Sequence, residues 1–328
     1  NFFIPDARKF WVKPSINYLT DYLKKNPVHV IISSGPPHSM HLIALELKKK
    51  LNIPWLADFR DPWTNIDFYK DLMLTSWADK KHHELELEVL KNADTVVSIG
   101  NILNDEFKAM TANCQLPTAN FKVITNGYDE EDVNTGEVVM DKKFSIAHIG
   151  TMVKSRNPEV LWKVLAELVK EDSAFAADLE IKLVGKVDVN VMQAIETNGL
   201  KKYLNKIDYL SHDEIVKFQQ DSQVLLLIVN NTKNAKGILT GKFFEYLSAK
   251  RPILCIGPAD GEAAQILHET NSGKIAGYDE AETLKKYVKE YYQLYKTNRL
   301  QINSTGIEKY SRKELTKKLA EVLDGLIA

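Results

Sequence analysis

The chain has 328 residues, a length that fits about two domains better than one core. Hydrophobic residues make up 44% and charged residues 27%, a soluble globular mix that excludes collagen-like, mucin-like and disordered chains. Lys+Arg 43 against Asp+Glu 44 leaves a net charge of -1, so no overall field attracts nucleic acid, and any anion site must be local.

The first half opens with a helical pattern at 9–25 and continues with short apolar runs rich in Val and Ile. These runs lack polar alternation, as strands buried on both faces do, and helical patterns separate them. The predicted strands are 28–34, 53–58, 95–99 and 121–125, with helices at 38–50, 71–92 and 102–110 between them.

The second half repeats this alternation, so the predicted fold class is α/β with two parallel sheets covered by helices. A polar stretch, 129–143, is the expected linker, which gives domains 1–143 and 144–328. The last amphipathic pattern, 311–326, is a helix that can pack back on the first domain. The strands predicted here are 145–149, 180–184, 207–210, 224–229, 253–256 and 274–276, and the other helices are 158–170, 190–198, 213–220, 241–249, 262–268 and 281–295.

Cysteine usage and hydropathy indicate in which cellular compartment the protein is expected. Cys114 and Cys255 form no CxxC pair or disulfide framework, which favours a reducing, cytoplasmic location. No apolar run reaches the roughly 18 residues that a membrane-spanning helix needs.

The segment 236–257 carries the strongest chemical signal. Thr240 and Gly241 precede a helix whose second residue is Lys242, and Glu245 lies one turn further. A helix start offers unpaired N–H groups and about half a positive charge, which suits a phosphate, and Glu245 can accept hydrogen bonds from ribose hydroxyls. The alternative is an ordinary surface helix with a Lys–Glu pair.

Polar residues follow two neighbouring strands of the first half. His38 comes after the strand 28–34, and Asp58, Arg60 and Asp61 lie in DFRDPW (58–63) after the next one. Ligands bind at the carboxyl ends of strands in open α/β sheets, so these four side chains are expected to line one crevice. The alternatives are a local ion pair at Arg60, packing by Trp63, and a helix start at His38.

In order and spacing, these segments resemble the nucleotide-sugar signature of retaining glycosyltransferases of family 4, which have the GT-B fold of two facing Rossmann-like domains. The resemblance runs from about residue 28 to the final helix. It includes the Gly150–Thr151 turn with Arg156 six residues after the glycine, NGYD at 126–129, LVG at 183–185, and the helix with Lys242 and Glu245.

The resemblance implies roles for the donor side. Arg156 and Lys242 would bind the donor diphosphate and act in catalysis, Gly150 and Thr151 would form the turn beneath the phosphates, and Glu245 would bind the ribose. The first glutamate of the family's E-x7-E pattern is replaced by Gly237. Backbone N–H groups can serve the sugar or diphosphate instead, and the residues expected to supply them are Ile238, Leu239, Thr240 and Gly241.

On the acceptor or sugar side, many family members have a histidine where this chain has Arg60–Asp61. Asp61 is therefore predicted to contact a sugar or acceptor hydroxyl and to act in catalysis, with His38, Asp58 and Arg60 beside it. Family members also begin with a strand and a Gly-rich turn that do not precede residue 28 here. We therefore expect the first domain to be incomplete at its N-terminus.

The expected partners are a nucleotide-sugar donor of the UDP or GDP type and a glycan or lipid-linked acceptor, as in bacterial surface polysaccharide synthesis. The chain contains no Asp-x-Asp triplet, in agreement with the family's metal-independent chemistry, so neither a metal nor another cofactor is expected. Short lysine runs allow a weak peripheral contact at the inner face of the membrane. No nucleic acid is expected as a partner.

Two other functions are compatible with the same residues. A nucleotide-sugar epimerase would bind the same donor without an acceptor. A catalytically silent nucleotide-sugar-binding protein is favoured by Gly237 and the short first domain.

Overall fold

The computed structural model describes residues 1–112, 119–133 and 136–327, so Cys114 and positions 134–135 of the predicted linker lie outside the described residues. By its internal contacts the chain forms two compact units. Unit 1 comprises Asn1–Asn126 and Lys313–Ala328, and unit 2 comprises Gly127–Arg312. The predicted boundary at Lys143 falls inside unit 2, because the segment before it is bonded there: Asp141 accepts hydrogen bonds from Lys182 Nζ and Ser145 Oγ, both at 2.6 Å.

Within the described residues, unit 1 contains a parallel sheet of four strands in the order β1-β2-β3-β4. The register pairs Gly35 at the end of the first strand with Phe59 at the end of the second, so the segments that follow these strands start side by side. The elements are α1 (Lys9–Lys25), β1 (Ile31–Gly35), α2 (Ser39–Leu51), β2 (Trp55–Phe59), α3 (Ser76–Asn92), β3 (Thr95–Ser98), α4 (Asn101–Thr111) and β4 (Asn120–Val123).

Unit 2 contains a parallel sheet of six strands in its described part. Its elements are β5 (Phe144–Ile149), α5 (Glu159–Glu171), α6 (Ser173–Asp178), β6 (Leu179–Val184), α7 (Val189–Thr197), β7 (Leu204–Ile207), α8 (His212–Asp221), β8 (Val224–Ile228), α9 (Gly241–Ser248), β9 (Ile253–Ile256), α10 (Glu262–Glu269), β10 (Gly273–Ala276) and α11 (Ala281–Lys296). The last helix of the chain, α12 (Arg312–Ile327), packs on unit 1.

The strand order in unit 2, β10-β9-β8-β5-β6-β7, places the first strand of the unit in the middle of the sheet. From β5 the chain adds β6 and β7 on one side of the sheet. It then returns to the other side of β5 and adds β8, β9 and β10 there. The boundary between β5 and β8 is therefore the topological switch point, the place where open α/β sheets hold their ligands at the carboxyl ends of the strands.

Alternating residues of the strands fill a core on each face of the sheet in unit 2. Ile146 packs with Trp162 of α5 on one face, and its neighbour Ala147 packs with Phe243 of α9 on the other. In unit 1, one face of the sheet, with Trp55, Ala57 and Phe59 of β2, packs against α2, α3 and α4. The opposite face of that sheet is covered by apolar residues of α12, with Leu315 against Leu56, Val97 and Ile124.

The α/β class with two parallel sheets is confirmed. Besides smaller shifts at the ends of other elements and the unpredicted α6, two elements are displaced most from their predicted positions. The strand predicted at 207–210 lies at 204–207: it ends where the carbonyl of Ile207 accepts a hydrogen bond from Gly185 (2.8 Å), and the apolar Leu210 packs into the core from the following loop. The helix predicted at 71–92 begins at Ser76, because the Thr75 hydroxyl caps it by accepting from the Ala78 N–H (3.3 Å).

Candidate functional site

Two glycine turns lie against each other at the carboxyl ends of β5 and β6, beside the switch point of unit 2. Gly150 follows β5 with a φ of +113°, and Gly185 follows β6 with a φ of +103°. A methyl group added to Gly185 would lie 3.2 Å from the backbone C and O of Gly150. Since residues with a side chain rarely adopt such φ values, glycine at both positions lets the two strand ends approach closely.

Lys242 lies over the first of these turns. It is the second residue of α9, and a methyl group added to Gly150 would lie 2.7 Å from its Nζ. The Nζ is also 3.3 Å from Nε2 of His148, a residue of β5. The sequence-predicted pair of Gly150 and Lys242 is thus brought together, with the ammonium group at the carboxyl end of the central strand.

Arg156 lies near enough to Lys242 for its charge to act on the ammonium group. It ends the 3₁₀ turn Lys154–Arg156, and its Nε donates a hydrogen bond to Oδ1 of Asn230 (2.6 Å), which follows β8. Burial, and next the Arg156 guanidinium, lower the pKa of Lys242 to about 8, while Glu245 acts in the opposite direction. Two basic side chains near each other favour the approach of an anion, which would offset their repulsion.

His148 lies beside these two basic groups but does not add a third positive charge. Burial, followed by the nearby Lys242, lowers the pKa of His148 to about 3, so that the ring is neutral at physiological pH. Sequence reasoning missed this residue. A histidine inside a mostly apolar strand was the available signal.

The remaining donor-side residues occupy the approach to α9 and its first turns. Leu239 is buried in the core, and Ile238 packs partly against it. The Ile238 N–H donates to the Ala235 carbonyl (3.2 Å), so its predicted role as a donor to the sugar or diphosphate does not fit this structure. The exposed Thr151 follows Gly150 directly. Glu245 is exposed one turn into α9, where its carboxylate can reach solvent and a ligand. Gly237 closes the 3₁₀ turn Ala235–Gly237 and offers no side chain.

The predicted acceptor-side residues of unit 1 separate into two pairs. Arg60 and Asp58 form an ion pair between Nη1 and Oδ1 (3.1 Å). Arg60 also donates to the Ile124 carbonyl (3.1 Å) and to Oδ1 of Asn126 (2.8 Å), while Oδ2 of Asp58 accepts from the Ser34 hydroxyl (2.9 Å). Both charged groups are used to join the ends of β1 and β2 to the segment after β4.

Replacement of Arg60 by methionine is expected to lower the free energy of unfolding by about 1–3 kcal/mol, because Asp58 and the Ile124 carbonyl lose their partner. Urea denaturation measures this. Lys49→Met, which removes an exposed ion pair with Glu88, is the control, with an expected change of at most about 1 kcal/mol. An unchanged stability for the Arg60 variant, together with lost sugar transfer, would instead assign Arg60 to substrate binding.

His38 and Asp61 line one cavity of unit 1, with a volume of about 590 Å³. The His38 ring stacks on the buried Trp63 ring at 4.6 Å between centroids, and Trp63 Nε1 donates to Nδ1 of His82 (3.0 Å), so Trp63 is a packing residue. Burial lowers the pKa of His38 to about 4. Burial, followed by the charge of Asp67, raises the pKa of Asp61.

The part of the chain that the structure describes contains no cluster of three or more His, Cys, Asp or Glu residues arranged to hold a metal ion. Within residues 1–112, 119–133 and 136–327, none of the helices combines the length and the apolar character required to cross a bilayer.

Comparison with protein-family models gives no match, and comparison with curated protein sequences gives none either. Among solved structures, a glycosyltransferase from Rickettsia africae is similar with a TM-score of 0.69 and 13% identity, over 100% of this chain and 84% of that one. A sucrose-phosphate synthase from Thermosynechococcus elongatus is similar with a TM-score of 0.67 and 13% identity, over 98% and 79%.

A UDP-forming α,α-trehalose-phosphate synthase from Burkholderia vietnamiensis has a TM-score of 0.66 and 9% identity, over 98% of this chain and 78% of that one. Identities this low establish the fold alone. With its two units of parallel sheet and flanking helices, the chain has the fold of the GT-B glycosyltransferases.

Proposed function

We propose that this protein is a glycosyltransferase that transfers a sugar from a nucleotide-sugar donor and binds the donor diphosphate between Arg156 and Lys242. The observation that carries the proposal is the mutual effect of these two side chains. They come from different segments: Lys242 lies over the Gly150 turn, and burial, followed by the charge of Arg156, lowers the pKa of Lys242. The comparison proteins, which share the fold, are named as glycosyltransferases or sugar-phosphate synthases.

The chemistry follows from where charge develops. When the bond between the sugar and the diphosphate breaks, negative charge grows on the departing phosphate oxygens and positive charge grows on the anomeric carbon. The guanidinium of Arg156, the ammonium of Lys242 and the N–H groups at the start of α9 stabilise that leaving group. They are already in place before the reaction, so no large reorganisation is needed.

The resemblance to family 4 supports two finer parts of the proposal. It implies transfer with retention of configuration and without a metal ion. On this basis a donor phosphate oxygen takes the proton of the acceptor hydroxyl, and Asp61 binds a hydroxyl of the sugar or acceptor. Burial, followed by the charge of Asp67, raises the pKa of Asp61, which makes its carboxylate a stronger hydrogen-bond acceptor for such a hydroxyl.

A UDP-sugar is the first donor to test, since the Burkholderia vietnamiensis protein is described as UDP-forming. The proposed acceptor is a glycan or a lipid-linked glycan of bacterial surface polysaccharide synthesis. That acceptor would place the reaction in the cytoplasm, at or near the inner face of the membrane.

Glu245 provides the test of nucleotide binding, because its proposed partner is the ribose and not the phosphates. In calorimetry with UDP, GDP and the bare nucleosides, Glu245→Ala is expected to weaken diphosphate and nucleoside by the same factor, on the order of tenfold. Glu282→Ala, at an exposed position on α11, is the matched control and is expected to change nothing. Wild-type protein that binds neither UDP nor GDP would overturn the proposal.

Incubation with a donor alone separates the proposed activity from its alternatives. Slow release of nucleoside diphosphate is expected of a transferase without its acceptor. An isomerised donor would identify an epimerase. Binding without any turnover, also in the presence of glycan acceptors, would identify a silent nucleotide-sugar-binding protein.

A further inference from the structure

His148 lies at the centre of the candidate site, but the donor-binding roles assigned above do not include it. Its side chain is 2% exposed, in a strand whose other residues are mostly apolar. A buried polar side chain lowers stability unless its polar atoms have partners. The partners of its two ring nitrogens therefore indicate what the residue does.

The first partner fixes the tautomer of the ring. Cα pairing between β5 and β8 joins Ile146 to Val224 and Ala147 to Leu225. At the next position along both strands, Nδ1 of His148 lies 3.0 Å from the carbonyl oxygen of Leu226. The backbone of Thr151 also lies near the ring, but its effect on the ring's pKa is smaller than that of the Leu226 bond. A carbonyl only accepts hydrogen bonds, so the bond to Leu226 places the hydrogen on Nδ1. Because burial and Lys242 keep this imidazole neutral, Nε2 presents a lone pair.

The second partner is Lys242. Its Nζ is 3.3 Å from Nε2, so the ammonium group can donate one of its three hydrogens to the ring. Two other charged groups act on the ammonium: Arg156 from the segment after β5, and Glu245 on its own helix. His148, in contrast, contacts the Nζ with a neutral acceptor atom.

We infer that His148 is a positioning residue: with its tautomer fixed by the Leu226 carbonyl, it holds the Lys242 ammonium over the Gly150 turn. Its consequence for ligand binding rests on the proposed function, because the ammonium so held is the group that would bind the donor diphosphate. A lysine side chain has four rotatable bonds, and the contact with Nε2 restricts it to one place before the ligand arrives.

Two substitutions of His148 distinguish the roles of its two ring nitrogens. His148→Asn places an amide N–H near the position of Nδ1 and keeps a donor for Leu226, but no atom reaches the position of Nε2. His148→Gln reaches that position and offers Lys242 an acceptor oxygen. The ratio of UDP to uridine affinity is expected to fall on the order of tenfold in the Asn variant and to be largely restored in the Gln variant. A purely structural role would change both affinities equally.

A second measurement needs no ligand. The rate at which acetic anhydride labels Lys242, followed by mass spectrometry across a pH series, gives the pH at which its ammonium loses a proton. Loss of the acceptor removes a hydrogen bond to the charged form, so this midpoint is expected to shift to lower pH in His148→Asn and to remain near the wild-type value in His148→Gln. His41→Asn, which alters a buried histidine of unit 1, controls for a general loss of stability and is expected to leave the midpoint unchanged.

The outcomes distinguish this inference from the proposed function. Equal labelling midpoints in wild type and His148→Asn would overturn the positioning role, whatever the affinities are. A shifted midpoint in a protein that binds no nucleoside diphosphate would support the positioning role and overturn the proposed function. A shifted midpoint together with a reduced UDP preference would support both.

Discussion

Replacement of Lys242 by methionine is expected to reduce kcat/KM for sugar transfer by roughly 10²–10³-fold, the range found when a group that stabilises developing negative charge is removed. Methionine keeps most of the length of the side chain and removes the charge. The affinity for UDP is expected to fall by roughly tenfold to a hundredfold, while the affinity for uridine remains close to that of the wild type, because uridine has no diphosphate for the ammonium to bind.

The same substitution is expected to make the fold more stable. In the folded protein, burial and Arg156 hold the pKa of Lys242 at about 8, below its usual 10.5, so its charge is unfavourable there. The unfolded chain binds more protons than the folded one between pH 8 and 10.5, and wild-type stability therefore gains an increment as pH rises through this window. Lys242→Met is expected to lack that increment. At pH 7 its free energy of unfolding is expected to exceed that of the wild type by about 1–3 kcal/mol, measured by denaturant unfolding.

Stability and binding thus change in opposite directions, which tests the assignment sharply. Arg156→Met is the companion variant: it is expected to lose UDP affinity as well and to raise the pKa of Lys242 towards the normal value, because a repelling neighbour is gone. Parallel losses of UDP affinity, uridine affinity and stability in the Lys242 variant would indicate misfolding and would contradict an anion site at this residue.

Local sequence features pointed to two residues that the structure brings close together. A glycine after a buried strand and a Gly–Lys pair at a helix start each have a physical reason that lies within a few residues, and the structure brings Gly150 and Lys242 together. The rest depends on partners far along the chain. His148 gains its function from a carbonyl 78 positions away and from Lys242, 94 positions away, and no local pattern contains either.

The same limit explains the residues after β2. DFRDPW contains three charged side chains within four positions. Their spacing does not show which of them form internal ion pairs and which face a cavity. In the structure, Arg60 donates hydrogen bonds to the Ile124 carbonyl and to Asn126, more than 60 residues later, and it also pairs with Asp58. Asp61 lines the cavity beside His38 instead. Strand order decides between such alternatives, and strand order is a long-range property.

Replacement of Gly150 by alanine is expected to abolish most of the preference for UDP over uridine while the protein still folds. The new methyl group would lie 2.7 Å from Lys242 Nζ and 3.1 Å from Cε, the far end of a flexible side chain. The lysine therefore moves away, and the fold bears mainly the strain of alanine at a φ of +113°, about 1–3 kcal/mol.

Gly199→Ala is the matched control for this prediction, because Gly199 also has a positive φ, +73°, and a methyl group there would meet nothing within 4 Å. It is expected to lower stability by about 1–2 kcal/mol and to leave the UDP preference intact. Backbone strain alone therefore cannot mimic the expected effect of Gly150→Ala on binding.

A double-mutant cycle shows whether Gly150 acts through Lys242. If the methyl group weakens UDP binding by displacing the ammonium, it has nothing left to displace in Lys242→Met, and the double variant is expected to bind UDP about as weakly as Lys242→Met alone. Additive losses would mean that the Gly150 turn contacts the phosphates independently of the lysine. Calorimetry of the four proteins with UDP at pH 7, where Lys242 is protonated, decides between these results.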